Sequence, residues 1–189
     1  MEKELSRCAW CTKTENMRTY HDTEWGIPVH DDPKHFEYIV LDSFQAGLSW
    51  QTILNRREGF RKAFVDFDPV LISKFTERDV ERLMQDEGII RNRLKIAGTV
   101  KNAIAFRKIQ EEFGSFDAYI WQFTGNQVID HKRQSMRDIP ASSPESDAMS
   151  KALKKRGFTF VGTTICYAYM QAAGLVNDHV QDCWRRGEG

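Results

Sequence analysis

The 189 residues carry 27 Lys and Arg against 27 Asp and Glu, so the formal net charge is zero, and 41% are hydrophobic with 12 Phe, 5 Trp and 5 Tyr. That apolar content suffices for a sizeable core, excludes intrinsic disorder and collagen-like repeats, and at this length predicts one globular domain over residues 1–189. The apolar runs are too short to span a bilayer and MEKELSRCAW has no apolar stretch of a secretory signal; a cytoplasmic protein without membrane contact is expected, in which Cys8, Cys11, Cys166 and Cys183 are thiols or metal ligands before they are disulfides.

Helical periodicity runs along nearly the whole chain. Asp31-Asp32-Pro33 joins an acidic cap to a Pro in the first turn, and behind it Phe36, Ile39, Val40, Ser43, Phe44 and Gly47 fall at helical spacing. Ser49 is placed to cap a second helix through Ile53, Leu54 and Phe60 to about Phe64, before Pro69 marks a break and a short turn through Leu71 and Ile72. Thr76 caps Glu77–Met84. Asp86-Glu87-Gly88-Ile89-Ile90 then links it to a long helix from about Asn92 to Phe113, with Ile96, Val100, Ala103, Ile104 and Ile109 in phase. Gly114 ends that helix and Ser115 caps the next, over Phe116–Phe123. Residues 124–144 read as polar and irregular. Ser146 or Asp147 begins a helix that Gly157 stops, and Thr163 or Thr164 begins the last, stopped by Gly174. The expected architecture is all-α.

Charge is uneven despite the neutral sum. Residues 1–50 hold nine acids against five bases, whereas 88–110 contain no acid and six bases: Arg91, Arg93, Lys95, Lys101, Arg107 and Lys108. A second acid-free stretch, 148–177, carries Lys151, Lys154, Lys155 and Arg156. Two stretches of one sign suggest a positive face, set against the plainer reading of solvated basic helix surfaces.

Three constellations bear on chemistry. Cys8 and His21 near the start, with His179 and Cys183 near the end, would fill a tetrahedral zinc shell with no open position, a structural site clipping the two ends of the chain together. A helical His179–Cys183 would point both side chains to one side, and Cys11 is a rival to Cys8. Second, Tyr20, Trp25 and Trp50 accompany Asp42, an acid among Ile39, Val40, Leu41 and Phe44 that is costly to bury unless it meets donors or a cation. Third, the Gly88 turn opening a helix with Asn92 and Arg93 offers backbone N–H groups and basic charge, the logic of a helix-hairpin-helix that grips a DNA strand by its phosphates.

Taken together, Tyr20-His21-Asp22-x-Glu24-Trp25-Gly26, Gln45-Ala46-Gly47-Leu48-Ser49-Trp50, Gly88-Ile89-Ile90-Arg91 and the stretch from Gly157-Phe158-x-Phe160-Val161-Gly162-Thr163-Thr164 to His179 resemble the 3-methyladenine DNA glycosylase I family, over nearly the whole chain. The resemblance implies a helix-hairpin-helix glycosylase fold whose terminal segments, about 1–30 and 174–189, are joined by one structural zinc on Cys8, His21, His179 and Cys183. It implies a monofunctional enzyme that flips 3-methyladenine out of alkylated double-stranded DNA and releases it by hydrolysis, leaving an abasic site. The family's base-binding acid falls on Asp42 and its stacking rings on Tyr20 and Trp50, with Trp10 and Trp25 as pocket walls. Gly47 and Leu48 correspond to the segment that fills the hole left by the flipped nucleotide, and Gly88, Arg91 and Arg93 are the DNA-backbone contacts expected from the hairpin. A monomer is expected. The family commonly has Glu where this chain has Asp42, one methylene shorter, so the base must shift or a water must bridge.

Overall fold

Side-chain caps start most of the helices. The computed structural model describes residues 5–188. Thr14 caps α1 (Glu15–Thr23), Asp31 caps α2 (Asp32–Gln45) by accepting from the Lys34 amide, and Ser49 caps α3 (Trp50–Leu54). After α4 (Arg57–Ala63), Asp68 accepts from two amides of α5 (Pro69–Ile72), and a Thr76–Asp79 capping box opens α6 (Glu77–Leu83). Asn92 caps the 21-residue α7 (Arg93–Phe113), which ends at Gly114, and Ser115 caps α8 (Phe116–Ile120). A two-residue strand β1 (Ile129–Asp130), α9 (Pro144–Lys155), α10 (Thr163–Ala172) and a second short strand β2 (Val176–Asn177) complete the described elements.

The core is built on α2, whose residues from His35 to Phe44 are buried without interruption. A helix buried on every side belongs at a centre, and α3, α7, α8 and α10 pack around this one. Its partners are largely aromatic: Phe36 meets Phe106 edge-on at 5.0 Å, Phe106 stacks on Phe116 at 4.2 Å, and Phe44 contacts Phe60 and Phe64. Asp42 therefore sits in the centre of the core, and the Gly47-Leu48 turn follows directly from the end of α2.

Several expectations from sequence need correcting. The helix expected from Ser49 to Phe64 is two helices, broken at Asn55 and Arg56. The second is turned so that Gly59 meets the Gly88 hairpin, where a Cβ would lie 2.2 Å from the Gly88 carbonyl oxygen, and packing overrides the continuous pattern. Phe116–Phe123 is helical only to Ile120 and tightens into a 3-10 turn over Trp121–Thr124. On α7, Ile104 is 42% exposed rather than in the core. The last helix starts at Thr163 as expected, while α9 starts at Pro144, two residues before Ser146 and three before Asp147, because Ser143 caps it and Ser146 at the third position returns the bond. The architecture is helical but not purely so. Residues 129–130 pair in parallel with 176–177, docking the polar segment by Ile129 N–H to Leu175 O (3.0 Å) and His131 N–H to Asn177 O (3.4 Å). No described helix is long and apolar enough to cross a membrane.

Candidate active site and metal centre

Cys8, His21, His179 and Cys183 come together as anticipated, all buried, with their ligand atoms within 4.8 Å of one another. Cys183 Sγ lies 3.4 Å from His21 Nε2 and 3.4 Å from His179 Nδ1, and Cys8 Sγ lies 3.7 Å from His179 Nδ1. Sulfur and nitrogen ligands at ordinary zinc distances in a tetrahedron stand about 3.6 Å apart, and these three separations are close to that value. The free ring nitrogens are held too. His21 Nδ1 is 2.8 Å from Asp22 Oδ1, itself gripped by Arg7, while His179 Nε2 faces the Trp25 carbonyl at 3.2 Å. These outer bonds select Nε2 of His21 and Nδ1 of His179 as the ligating atoms. The contact between the two thiols, with burial, raises Cys8, while the hydrogen bond from Cys8 lowers Cys183.

His179–Cys183 is not helical but a turn closed by Cys183 N–H to Val180 O at 2.9 Å, which converges the pair just as well. The rival Cys11 lies outside the cluster, its thiol donating to the Cys8 carbonyl at 3.1 Å, which leaves Cys8 as the candidate ligand. Gly26 is the enabling residue between them. At φ +79°, a Cβ there would sit 2.8 Å from His179 Nε2, so only glycine allows the imidazole to lie against the backbone.

Trp10 and Trp25, whose rings contact His21 and His179, also line a pocket of about 280 Å³, at the small end for ligand sites. Trp25 meets His179 edge-on at 4.6 Å and Trp10 at 5.1 Å; Tyr20 lies 5.1 Å from Trp50. Tyr20, Asp42, Trp50, Trp10 and Trp25 all line this one hollow. Asp42 is 2% exposed, its Oδ2 has no partner, and burial pushes its carboxyl well above the usual carboxylate range. Trp50 Nε1 is likewise buried and unpartnered. Buried polar atoms left orphaned are destabilising unless a ligand supplies the missing group. Burial also raises the Tyr20 phenol, keeping it a neutral donor.

Beneath the aromatic wall an ion network fixes the end of α1. Arg57 bonds both oxygens of Glu24 (2.6 and 2.7 Å) and one of Glu37 (2.8 Å), and Lys34 bridges the same two acids. Burial alone would raise Glu24; Arg57 and Lys34 hold it down at about 2. The far end of α2 is held by Lys95, whose Nζ donates to the carbonyls of Phe44 (2.9 Å) and Ala46 (2.6 Å), with burial lowering its pKa. That cation caps the negative end of the helix and fixes the following turn, where Gly47 stands at φ +81° and Leu48 is 39% exposed beside the pocket residues Gln45 and Trp50.

Gly88, Arg91 and Arg93 do not line the pocket. Gly88 packs on Gly59, Arg91 lies 3.9 Å from Glu87, and Arg93 pairs with Glu77. Arg107 also faces Glu111, so acids from neighbouring turns offset much of the basic stretch on 88–110. Sequence reading missed other pocket residues. Ala168, Gln171 and Ala172 form one face of α10, a small-large-small pattern legible in principle once α10 is known to face the site. Met136 and Ile139 come from the irregular segment, where no periodicity marks them.

Residues 10–186 match the family model for methyladenine glycosylase. The chain is 49% identical over 179 residues to DNA-3-methyladenine glycosylase 1 of Escherichia coli K12, covering 95% of this chain and 96% of that one. It is 46% identical to DNA-3-methyladenine glycosylase of Haemophilus influenzae Rd, covering 94% and 96%. Among solved structures it superimposes with a TM-score of 0.93, at 33% identity and 95% and 97% coverage, on a Tyr→Phe variant of 3-methyladenine DNA glycosylase I in complex with 3-methyladenine.

Proposed function

The chain belongs to the methyladenine glycosylase family, and from that premise we propose that it excises 3-methyladenine from alkylated double-stranded DNA, acting as a monomer in the cytoplasm. The observation that carries the reading is the convergence of Tyr20, Asp42 and Trp50 on one hollow containing an orphaned carboxyl oxygen. Methylation at N3 gives the adenine in DNA a positive charge. A pocket of electron-rich faces and one carboxyl attracts such a ring, each cation–π contact contributing about 0.5–2 kcal/mol. Normal adenine lacks the charge, so recognition discriminates against the undamaged base.

The same charge makes the base a good leaving group. The C1′–N9 bond breaks with its electron pair going to the base, water adds at C1′, and the water's proton is released; the products are the free base and an abasic site. Asp42 holds the ring's donors while Tyr20 and Trp50 cover its faces. The chemistry asks for no covalent nucleophile, and Lys95, the buried lysine nearest this region in sequence, has its amine committed to two backbone carbonyls. Leu48, exposed on the tight turn held by Lys95, is suited to enter the base stack as an apolar wedge when the nucleotide leaves it. The α6–Gly88–α7 connection serves as the helix-hairpin-helix, with Arg91 and Arg93 turning from Glu87 and Glu77 toward phosphates.

We further infer one structural zinc on Cys8, His21, His179 and Cys183, supported by the spacing and selected tautomers described above. Four protein ligands leave no open position, so the ion supplies folding and not a hydrolytic water. It holds Trp25, and through Trp25 the pocket wall. The direct test is chromatography of bases freed from methylated DNA: free 3-methyladenine is expected, with strands left unbroken at the abasic sites. Folded protein that frees none overturns the proposal.

A further inference from the structure

Gln171 lies on α10 and lines the pocket, yet its amide is not free to choose its orientation. Its Nε2 donates to Asp178 Oδ2 at 2.9 Å, and its backbone carbonyl accepts from Gly26 N–H at 3.0 Å, which ties it to the turn after Trp25. Asp178 is 1% exposed and fully engaged. Its Oδ2 also accepts from the Tyr167 hydroxyl (2.6 Å), and its Oδ1 accepts from Arg133 Nε (3.0 Å) and lies 2.9 Å from His131 Nδ1. Every group around this carboxyl presents a hydrogen. A flipped Gln171 would bring its own oxygen against Oδ2, placing two acceptors face to face, and the flip is therefore closed off. None of the described residues donates to Gln171 Oε1.

The geometry points to Gln171 as a specificity-determining residue that offers the pocket a fixed hydrogen-bond acceptor, with Asp178 as the positioning residue that holds it. The inference rests on the base-excision reading given above. It concerns which edge of the flipped base is accepted. A methylated adenine carries an exocyclic amino group with two N–H donors at C6; a methylated guanine carries a carbonyl oxygen there. Two acceptors in one small pocket, Asp42 and Gln171 Oε1, match the two donors of the amino group, and both oppose the guanine oxygen. A site whose buried acceptors stay unpaired rejects the wrong ligand far more strongly than a merely apolar one. The arrangement also explains why a fully engaged carboxylate adjoins the metal ligand His179. Asp178, which sets the amide, directly precedes the turn that brings His179 and Cys183 together.

Two variants test this, with 3-methyladenine and 3-methylguanine released from methylated DNA counted together in single-turnover assays. Gln171→Met keeps the volume and removes the acceptor; 3-methyladenine release is expected to fall about ten- to a hundredfold. The ratio of 3-methylguanine to 3-methyladenine is expected to rise while zinc content and melting temperature stay those of the parent. Asp178→Asn, with its own NH2 available to Gln171 Oε1, permits the amide to turn and should shift the ratio further toward 3-methylguanine. Gln171→Met with the parent's rate and ratio overturns the inference even if Asp178→Asn fails to fold. A lower rate with an unchanged ratio also overturns it, because a merely structural role would slow both bases alike. A parent protein that releases neither base removes the underlying reading, and this inference with it.

Discussion

Asp42 sits 2% exposed on the most buried helix of the molecule, with Oδ2 unpartnered, so its replacement by leucine separates stability from activity. A buried polar group without a partner costs about 1–3 kcal/mol. Removing it, with the two leucine methyls standing where the carboxyl oxygens stood, is expected to stabilise the protein by that amount, roughly 2–12 °C in Tm at this chain length. Burial raises the folded-state pKa of Asp42 well above the usual carboxylate range. Between the ordinary value and the raised one, the folded protein therefore holds a proton that the unfolded chain has released, and its stability falls as pH rises through that window. Asp42→Leu lacks this slope, so its advantage over the parent should grow from about pH 5 to about pH 8. Excision should move the other way, losing about ten- to a hundredfold with the charge-assisted acceptor gone. The checks are thermal melts of both proteins at the two pH values and single-turnover release of 3-methyladenine. A variant less stable than the parent at both pH values would refute the reasoning, since it would mean that Asp42 has a structural partner.

Cys183→Ser should abolish zinc retention and lower Tm by about 6–12 °C or more, corresponding to at least about 3 kcal/mol, whereas Cys11→Ser should keep one zinc per chain; metal analysis of both proteins decides. Lys95→Met strips the donor from the Phe44 and Ala46 carbonyls and should cost about 2–4 kcal/mol, read as a lower urea midpoint, with excision impaired because the Leu48 turn loosens. Replacing Arg91 and Arg93 together by Gln should weaken DNA binding equally across sequences and flatten the log–log salt dependence by about 2; unchanged affinity would leave these arginines as partners of Glu87 and Glu77 alone.

Much of the site was legible because local chemistry placed it. Asp31, Ser49, Asn92 and Ser115 start the helices they were expected to start, since each offers a side-chain oxygen to an otherwise unpaired amide. The four candidate metal ligands and the five pocket residues Tyr20, Asp42, Trp50, Trp10 and Trp25 carry chemistry in their side chains, which motif reading detects. What escaped was decided by contacts between distant segments. The break at Asn55–Arg56 follows from Gly59 packing on Gly88, and the β1–β2 pairing joins residues far apart in sequence. Met136 and Ile139 reach the pocket on a segment docked by that pairing and by bonds from Arg133 to Asp178 and from Gln181 N–H to the Arg133 carbonyl. The basic stretch on 88–110 looked more positive than it is, because composition along the chain does not show Glu77, Glu87 and Glu111 folding back beside Arg93, Arg91 and Arg107.

Where the damaged base binds decides most directly whether Tyr20, Asp42 and Trp50 form its pocket. A crystal structure of this protein with 3-methyladenine is expected to hold the ring against Tyr20 and Trp50, with an oxygen of Asp42 or a bridging water hydrogen-bonded to its edge. A ring bound elsewhere, or one inside the pocket with Asp42 still unpartnered, would contradict that assignment.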